Sequence, residues 1–340
     1  MARLPSFDSQ IETAKADAQK VQELSSQLAA SIAVLPDVVS ETAFEAETAQ
    51  LAELRSANTA LEAELLTLIK GFAARTDAAY ADFDRVDEVT RREKVTAFFT
   101  RRAAGSFKAV RLKKLAIAEL LKVILLEAAA VHAVLHTRKD DAAPLVSTCE
   151  PKLEASMQAR RKVVSSMDDA RQRDKALAAS LATLQRKITD ASDESRLSQL
   201  KADEAEATTQ RDAVLAERKK LGRQHDILDR QAILFGDLID LLNDEISLHT
   251  LLLNALNIEA ERCLQLYDAV FGSLEALLSE AEPRRAVAEG EETSLPLSAF
   301  RELLLLHTQG AVTMQDIEKR KKRVDEALLR RGERPAANGG

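Results

Sequence analysis

Any chemistry in this chain must come from a few clusters of charge. The densest spans residues 91–114, where Arg91, Arg92, Lys94, Arg101, Arg102, Lys108, Arg111, Lys113 and Lys114 stand against one acid, Glu93. That is +8 in 24 residues, so the other 316 carry −15 of a total that is −7. Phe98, Phe99 and Phe107 interleave with these cations around a turn at Gly105. Rings beside clustered cations suit an anionic lipid surface, where each near-surface cation contributes about 1 kcal/mol and apolar side chains enter the interface. The same cations would also meet nucleic-acid phosphates. A solvated turn with its phenylalanines in the core carries equal weight.

The remaining clusters are weaker. His132 and His136 lie four apart, on one helix face, a spacing that suits a transition metal. No acid separates them and no third ligand is evident, so the pair reads as structural and no metal site is assigned. Lys319, Arg320, Lys321, Lys322 and Arg323 resemble a nuclear-import signal or a phosphate patch, but an ordinary charged helix surface is the favoured reading. A Gly-rich phosphate loop, a nucleophile elbow and a CxxC pair are all missing from the sequence. The expectation is a protein without catalytic activity and without a cofactor.

The elements behind these clusters are helices. From Leu197 to Leu277 one seven-residue register persists for about 80 residues without proline, a span of about 120 Å at helical rise. Eleven of twelve d positions are apolar, and His249 is the exception. The a positions begin polar (Glu204, Arg211, Arg218, His225) and become apolar from Ala232 onward. One half therefore predicts a thin, wet seam and the other a broad face that must be buried. A second register holds Leu51, Asn58 and Leu65 at a, with Leu54, Leu61 and Leu68 at d. Asn58 on such a seam fixes register and strand number in a dimer, at a cost in stability.

Composition agrees: 30% charged, 4% aromatic, no tryptophan, and seven prolines that leave long uninterrupted spans. The fold class expected is all-α, an elongated antiparallel bundle of three long helices with coiled-coil character, plus short N- and C-terminal helices. The boundaries read as an N-terminal helix over 1–36, a long bundle over 37–283, a linker at 284–296, a C-terminal helix at 297–332 and a disordered tail at 333–340. Thr137 to Pro151 reads as a break, with a further helix from about 152 to 189 and a turn at 191–195. Residues 115–135 are apolar on nearly every side. Glu119, Lys122, Glu127 and His132 make a buried bundle helix the better expectation than a membrane span. Two cysteines, with Cys263 on the apolar seam, and an N-terminus without an apolar leader point to a reducing compartment.

A short N-terminal helix followed by three long helical stretches, about 37–104, 107–189 and 195–282, resembles a BAR-type domain over about residues 37–283. The proline-bearing break near 144–151 falls where such domains bend. The resemblance implies a homodimer whose basic surface meets an anionic membrane. One departure concerns the expected arm tip, where Asp190, Asp193, Glu194, Asp203, Glu204 and Glu206 outnumber Arg196 and Lys201 and would repel anionic lipid.

The leading expectation is thus a non-enzymatic dimeric scaffold, cytoplasmic and peripheral to membranes, using the 91–114 cations as its lipid contact. The alternative is a cytoskeletal or nuclear coiled-coil assembly subunit that meets protein partners, through its C-terminal helix among others, or nucleic acid. A helical pore-forming toxin ranks last, because residues 115–135 hold more charge than its apolar hairpin should.

Overall fold

A computed structural model describes residues 7–35, 43–87, 117–271 and 314–332. Among them stand five helices and no strand: α1 (Phe7–Ile32), α2 (Glu45–Asp87), α3 (Ile117–Asp190), α4 (Glu194–Phe271) and α5 (Met314–Gly332). The all-α bundle expected from the heptads is therefore what the chain forms. It divides into two units: Met1–Glu23, Ser56–Ala143 and Asn243–Gly340 in one, and Leu24–Arg55 and Pro144–Leu242 in the other.

In the second unit α3 and α4 form an antiparallel hairpin. Contacts run in opposite directions along the two chains: Gln185 bonds Glu204 at 3.2 Å, Arg173 bonds Glu217 at 2.9 Å and Ser156 bonds Gln231 at 2.6 Å. The turn is residues 191–193. Asp193 caps α4, accepting the Ser195 amide on its carboxylate at 3.3 Å and the Leu197 amide on its carbonyl at 2.9 Å. The seam is as thin as its heptads predict: toward the turn Ala170, Leu181, Ala207 and Val214 are buried, all small or medium side chains. The polar a positions have partners across it. Asp174 accepts from Arg211 at 3.1 Å and from Arg218 at 2.7 Å. Away from the turn the seam thickens, with Leu234, Phe235, Leu238 and Leu242 buried beside Leu28, Ile32 and Leu54. Gln231, also buried, donates to the carbonyl of Ile32 at 2.8 Å, satisfying an orphan acceptor at the end of α1. Phe44, just before α2, adopts a positive φ of 69°, unusual for a bulky residue. Burial of its ring offsets that cost.

The break expected at 137–151 does not occur: α3 runs unbroken for 74 residues with Pro144 and Pro151 inside it. Each proline removes one backbone hydrogen bond and costs about 3 kcal/mol in a helix interior. The buried stripe explains why the helix survives. Arg138, Ala142, Val146 and Cys149 keep helical spacing straight through both prolines, so packing along the face outweighs local propensity.

The first unit is a body built from the start of α1, most of α2, the start of α3, the end of α4 and α5. Its buried side chains include Ile11, Val21, Leu61, Leu65, Phe72, Leu121, Leu125, Leu135, Leu252, Leu256 and Leu264. Gly71 on α2 gives room to the approach of α1: a Cβ there would lie 3.1 Å from the Phe7 ring, which packs edge-on against Phe72 with centroids 4.7 Å apart.

Candidate functional site

The feature of the body that stands apart is the first part of α3. Over 120–137 it has two formal charges, Lys122 and Glu127. Among the described residues α3 is the helix long and apolar enough to cross a membrane, with an 18-residue window of mean hydropathy 1.6. That is a statement of length and composition, and a buried bundle helix, as expected from the sequence, has the same property. Leu121, Ile124, Leu125, Ala128, Val131 and Leu135 face inward and are buried, whereas Val123 is 44% and Leu126 37% exposed. The helix is therefore apolar on its outer side as well as its inner one.

Ionic groups fasten this segment at its middle and just past its end. Near its middle Glu127 pairs with Arg75 of α2, whose guanidinium also lies 5.1 Å from the centre of the Phe7 ring. At its end Arg138, 2% exposed, donates from Nε to Glu245 of α4 at 2.9 Å and from a second nitrogen to the same carboxylate. Gln22 of α1 accepts a further bond from Arg138. Burial raises the Glu245 pKa above the ordinary carboxylate value, and Arg138 pulls it back toward ionisation. One turn on, His249 is fully buried, with Nδ1 3.8 Å from Glu245 and neither ring nitrogen hydrogen-bonded. Burial, followed by the nearby charges of Arg138 and Arg331, pushes its pKa down to about 4. His249 is thus a neutral core residue.

A second polar cluster joins α2 to α4. Arg262 donates to Asp77 at 2.7 Å and to Glu259 at 2.8 Å, and the Tyr80 hydroxyl donates to the Arg262 carbonyl at 2.8 Å. Thr76 lies 3.2 Å from the Cys263 sulfur. Burial pushes the Cys263 thiol up to about 11 and the Tyr80 hydroxyl up to about 12. Both groups stay protonated at neutral pH, so neither is a nucleophile.

The sequence-derived site fares unevenly. Arg91, Arg92, Lys94, Phe98, Phe99, Arg101, Arg102, Phe107, Lys108, Arg111, Lys113 and Lys114 all lie outside the described residues. Asn58 is buried at 3% exposure within the body, and its Oδ1 has no hydrogen-bond partner. His132 and His136 stack with centroids 5.9 Å apart, and His136 meets Asp140 at 2.9 Å. No group of three potential metal ligands occurs among the described residues. From the C-terminal basic run, Arg320 pairs with Glu261 and Lys321 with Glu259. Sequence reasoning missed Arg138 and Glu245. On long helices isolated arginines and glutamates are everywhere, and only the end of the apolar run at Thr137 singles out Arg138.

No family model matches the chain, and no curated protein matches it significantly. Similar solved structures include components of tripartite toxins. The pre-pore AhlB of the tripartite alpha-pore forming toxin AHL from Aeromonas hydrophila shares 12% identity at a TM-score of 0.36, over 95% of this chain and 97% of that one. The SmhB pore of the tripartite toxin Smh from Serratia marcescens shares 13% at 0.37, over 94% and 99%. The AhlB pore shares 12% at 0.37, over 97% and 98%. At these values the likeness is one of helical architecture. These neighbours are toxin components and not BAR-type domains, so the BAR-type scaffold reading, with its cytoplasmic or nuclear placement, is corrected. The physical reason is that a succession of long heptad helices is common to many antiparallel bundles, and periodicity does not distinguish among them.

Proposed function

We propose that this protein is a non-enzymatic, membrane-inserting helical bundle of the pore-forming kind, in which residues 120–137 of α3 are the inserting segment. The observation that carries this reading is the combination of span-like hydropathy, 1.6 over 18 residues, with burial of only 44% of that window. Val123 and Leu126 on the outer face give the segment apolar surface that lipid could cover. A hydrocarbon core about 30 Å thick takes a helix of about 20 residues, close to the length of this segment. The Glu127 and Arg138 ion pairs supply the counterpart: they hold the segment in the body until it transfers. Charges left on the segment favour insertion as an assembly that shields them, because an exposed charge at the bilayer centre is costly.

The test places a polarity-sensitive fluorophore at position 126, through Leu126→Cys in a chain with Cys149→Ala and Cys263→Ala. Mixing with phospholipid vesicles should shift its emission to the blue and shield it from an aqueous quencher. Val123→Glu, on the outer face and tolerated in the body, should abolish that shift. Emission that stays aqueous on vesicles of both neutral and anionic composition overturns the reading.

A further inference from the structure

We propose that α5 is a salt-sensitive latch that holds the body closed around the apolar segment of α3, an inference that rests on the membrane-inserting reading. Three observations carry it. The first is how α5 is attached. Arg320 pairs with Glu261 and Lys321 with Glu259, both on α4, and Arg331 donates to the Asp244 carbonyl at 2.9 Å. Arg331 also lies 3.9 Å from Glu62 of α2. The second is how little α5 packs. Of its described side chains only Ile317 is buried, and Leu329 is 66% exposed. Beneath it runs an unfilled groove of about 490 Å³, lined by Leu66 and Ile69 of α2, Ile258 of α4, and Val324 and Leu328 of α5. Charge, more than apolar burial, keeps the helix in place.

The third is where it sits. Arg75 of α2 and Glu245 of α4 are the partners that fasten the α3 segment, and α5 ties the same two helices together from another side. When α5 loosens, α2 and α4 stay joined by Arg262–Asp77 but lose the Arg331–Glu62 and Arg320–Glu261 ties, so the body around the α3 segment opens more readily. Arg320, 41% exposed, forms the pair most open to screening by salt, and the screening length falls from about 10 Å at 0.1 M to about 3 Å at 1 M. Seven cations against four acids within α5 match the acidic residues it meets. An ionic attachment of this type yields to an anionic competitor, whereas a packed core helix does not.

Hydrogen exchange of the full chain in solution, without lipid, tests the latch. Arg320→Glu should speed exchange in both 314–332 and 120–137 by about tenfold, the loss of one charge-assisted hydrogen bond. Arg320→Glu combined with Glu261→Arg restores the pair with reversed polarity and should return both segments to the wild-type rate. A sodium chloride titration of the unmodified chain gives the same comparison without substitution, and the two segments should loosen together. The latch is overturned if 314–332 loosens while 120–137 keeps its protection, or if the reversed pair restores neither. Because this readout needs no membrane, it stands apart from the fluorophore experiment: failure to insert leaves the latch measurable, and failure of the latch leaves insertion measurable.

Discussion

The same two helices, α3 and α4, behave differently in the two units. In the hairpin unit their seam near the turn is lined by Ala170, Ala207 and Val214, and its ionic groups lie at the edges. Asp174 is 15% exposed, and its partners Arg211 and Arg218 are 41% and 37% exposed. In the body the pair Arg138–Glu245 is 2% exposed on both sides and has His249 beside it. A half-wet ion pair is largely repaid by water when broken; a dry one is not. Ionic residues therefore tune the hairpin and lock the body.

The largest effect should come from removing one side of the dry pair. Glu245→Ala leaves Arg138 charged and buried, and should destabilise the body by about 3–5 kcal/mol in urea unfolding. Asp174→Ala in the hairpin should cost less than about 1 kcal/mol. Equal losses would dissolve the contrast between the units.

Acid should separate the two regions next. Burial holds the His249 pKa at about 4 in the folded body, against an ordinary histidine value of 6.5. The unfolded chain thus takes up a proton first, so the stability due to neutral His249 is complete above pH 6.5 and is lost as pH falls toward 4. The full loss is on the order of 3 kcal/mol. Glu245, with its raised pKa, works in the opposite sense, gaining relative stability on protonation. His249→Met should remove the fall in the urea midpoint between pH 7 and pH 5, and an unchanged pH profile in that variant would remove His249 as its source.

A smaller gain is expected at Asn58. Its buried, unpartnered Oδ1 bears a desolvation cost that Asn58→Leu removes, raising stability by about 1 kcal/mol. Sedimentation of the wild type and this variant would show whether the same residue also sets an oligomer, as its heptad position suggests.

Much of this architecture is written in the periodicity. The d positions Ala207, Val214, Leu228, Phe235, Leu242, His249, Leu256 and Cys263 are all buried, and the polar a positions mark the thin part of the seam. The N-terminal helix, expected within 1–36, is Phe7–Ile32, and the turn expected at 191–195 is 191–193. Heptads determine these features because a helix face repeats at a fixed spacing and must be covered wherever it is apolar. The sequence could not show that Pro144 and Pro151 lie within α3, since the packing that offsets their cost comes from residues distant in the chain. Nor could it pair Arg138 with Glu245, 107 residues apart, or Arg320 with Glu261, 59 apart. Which of many surface charges become buried partners depends on which helices meet, and only the tertiary structure decides that.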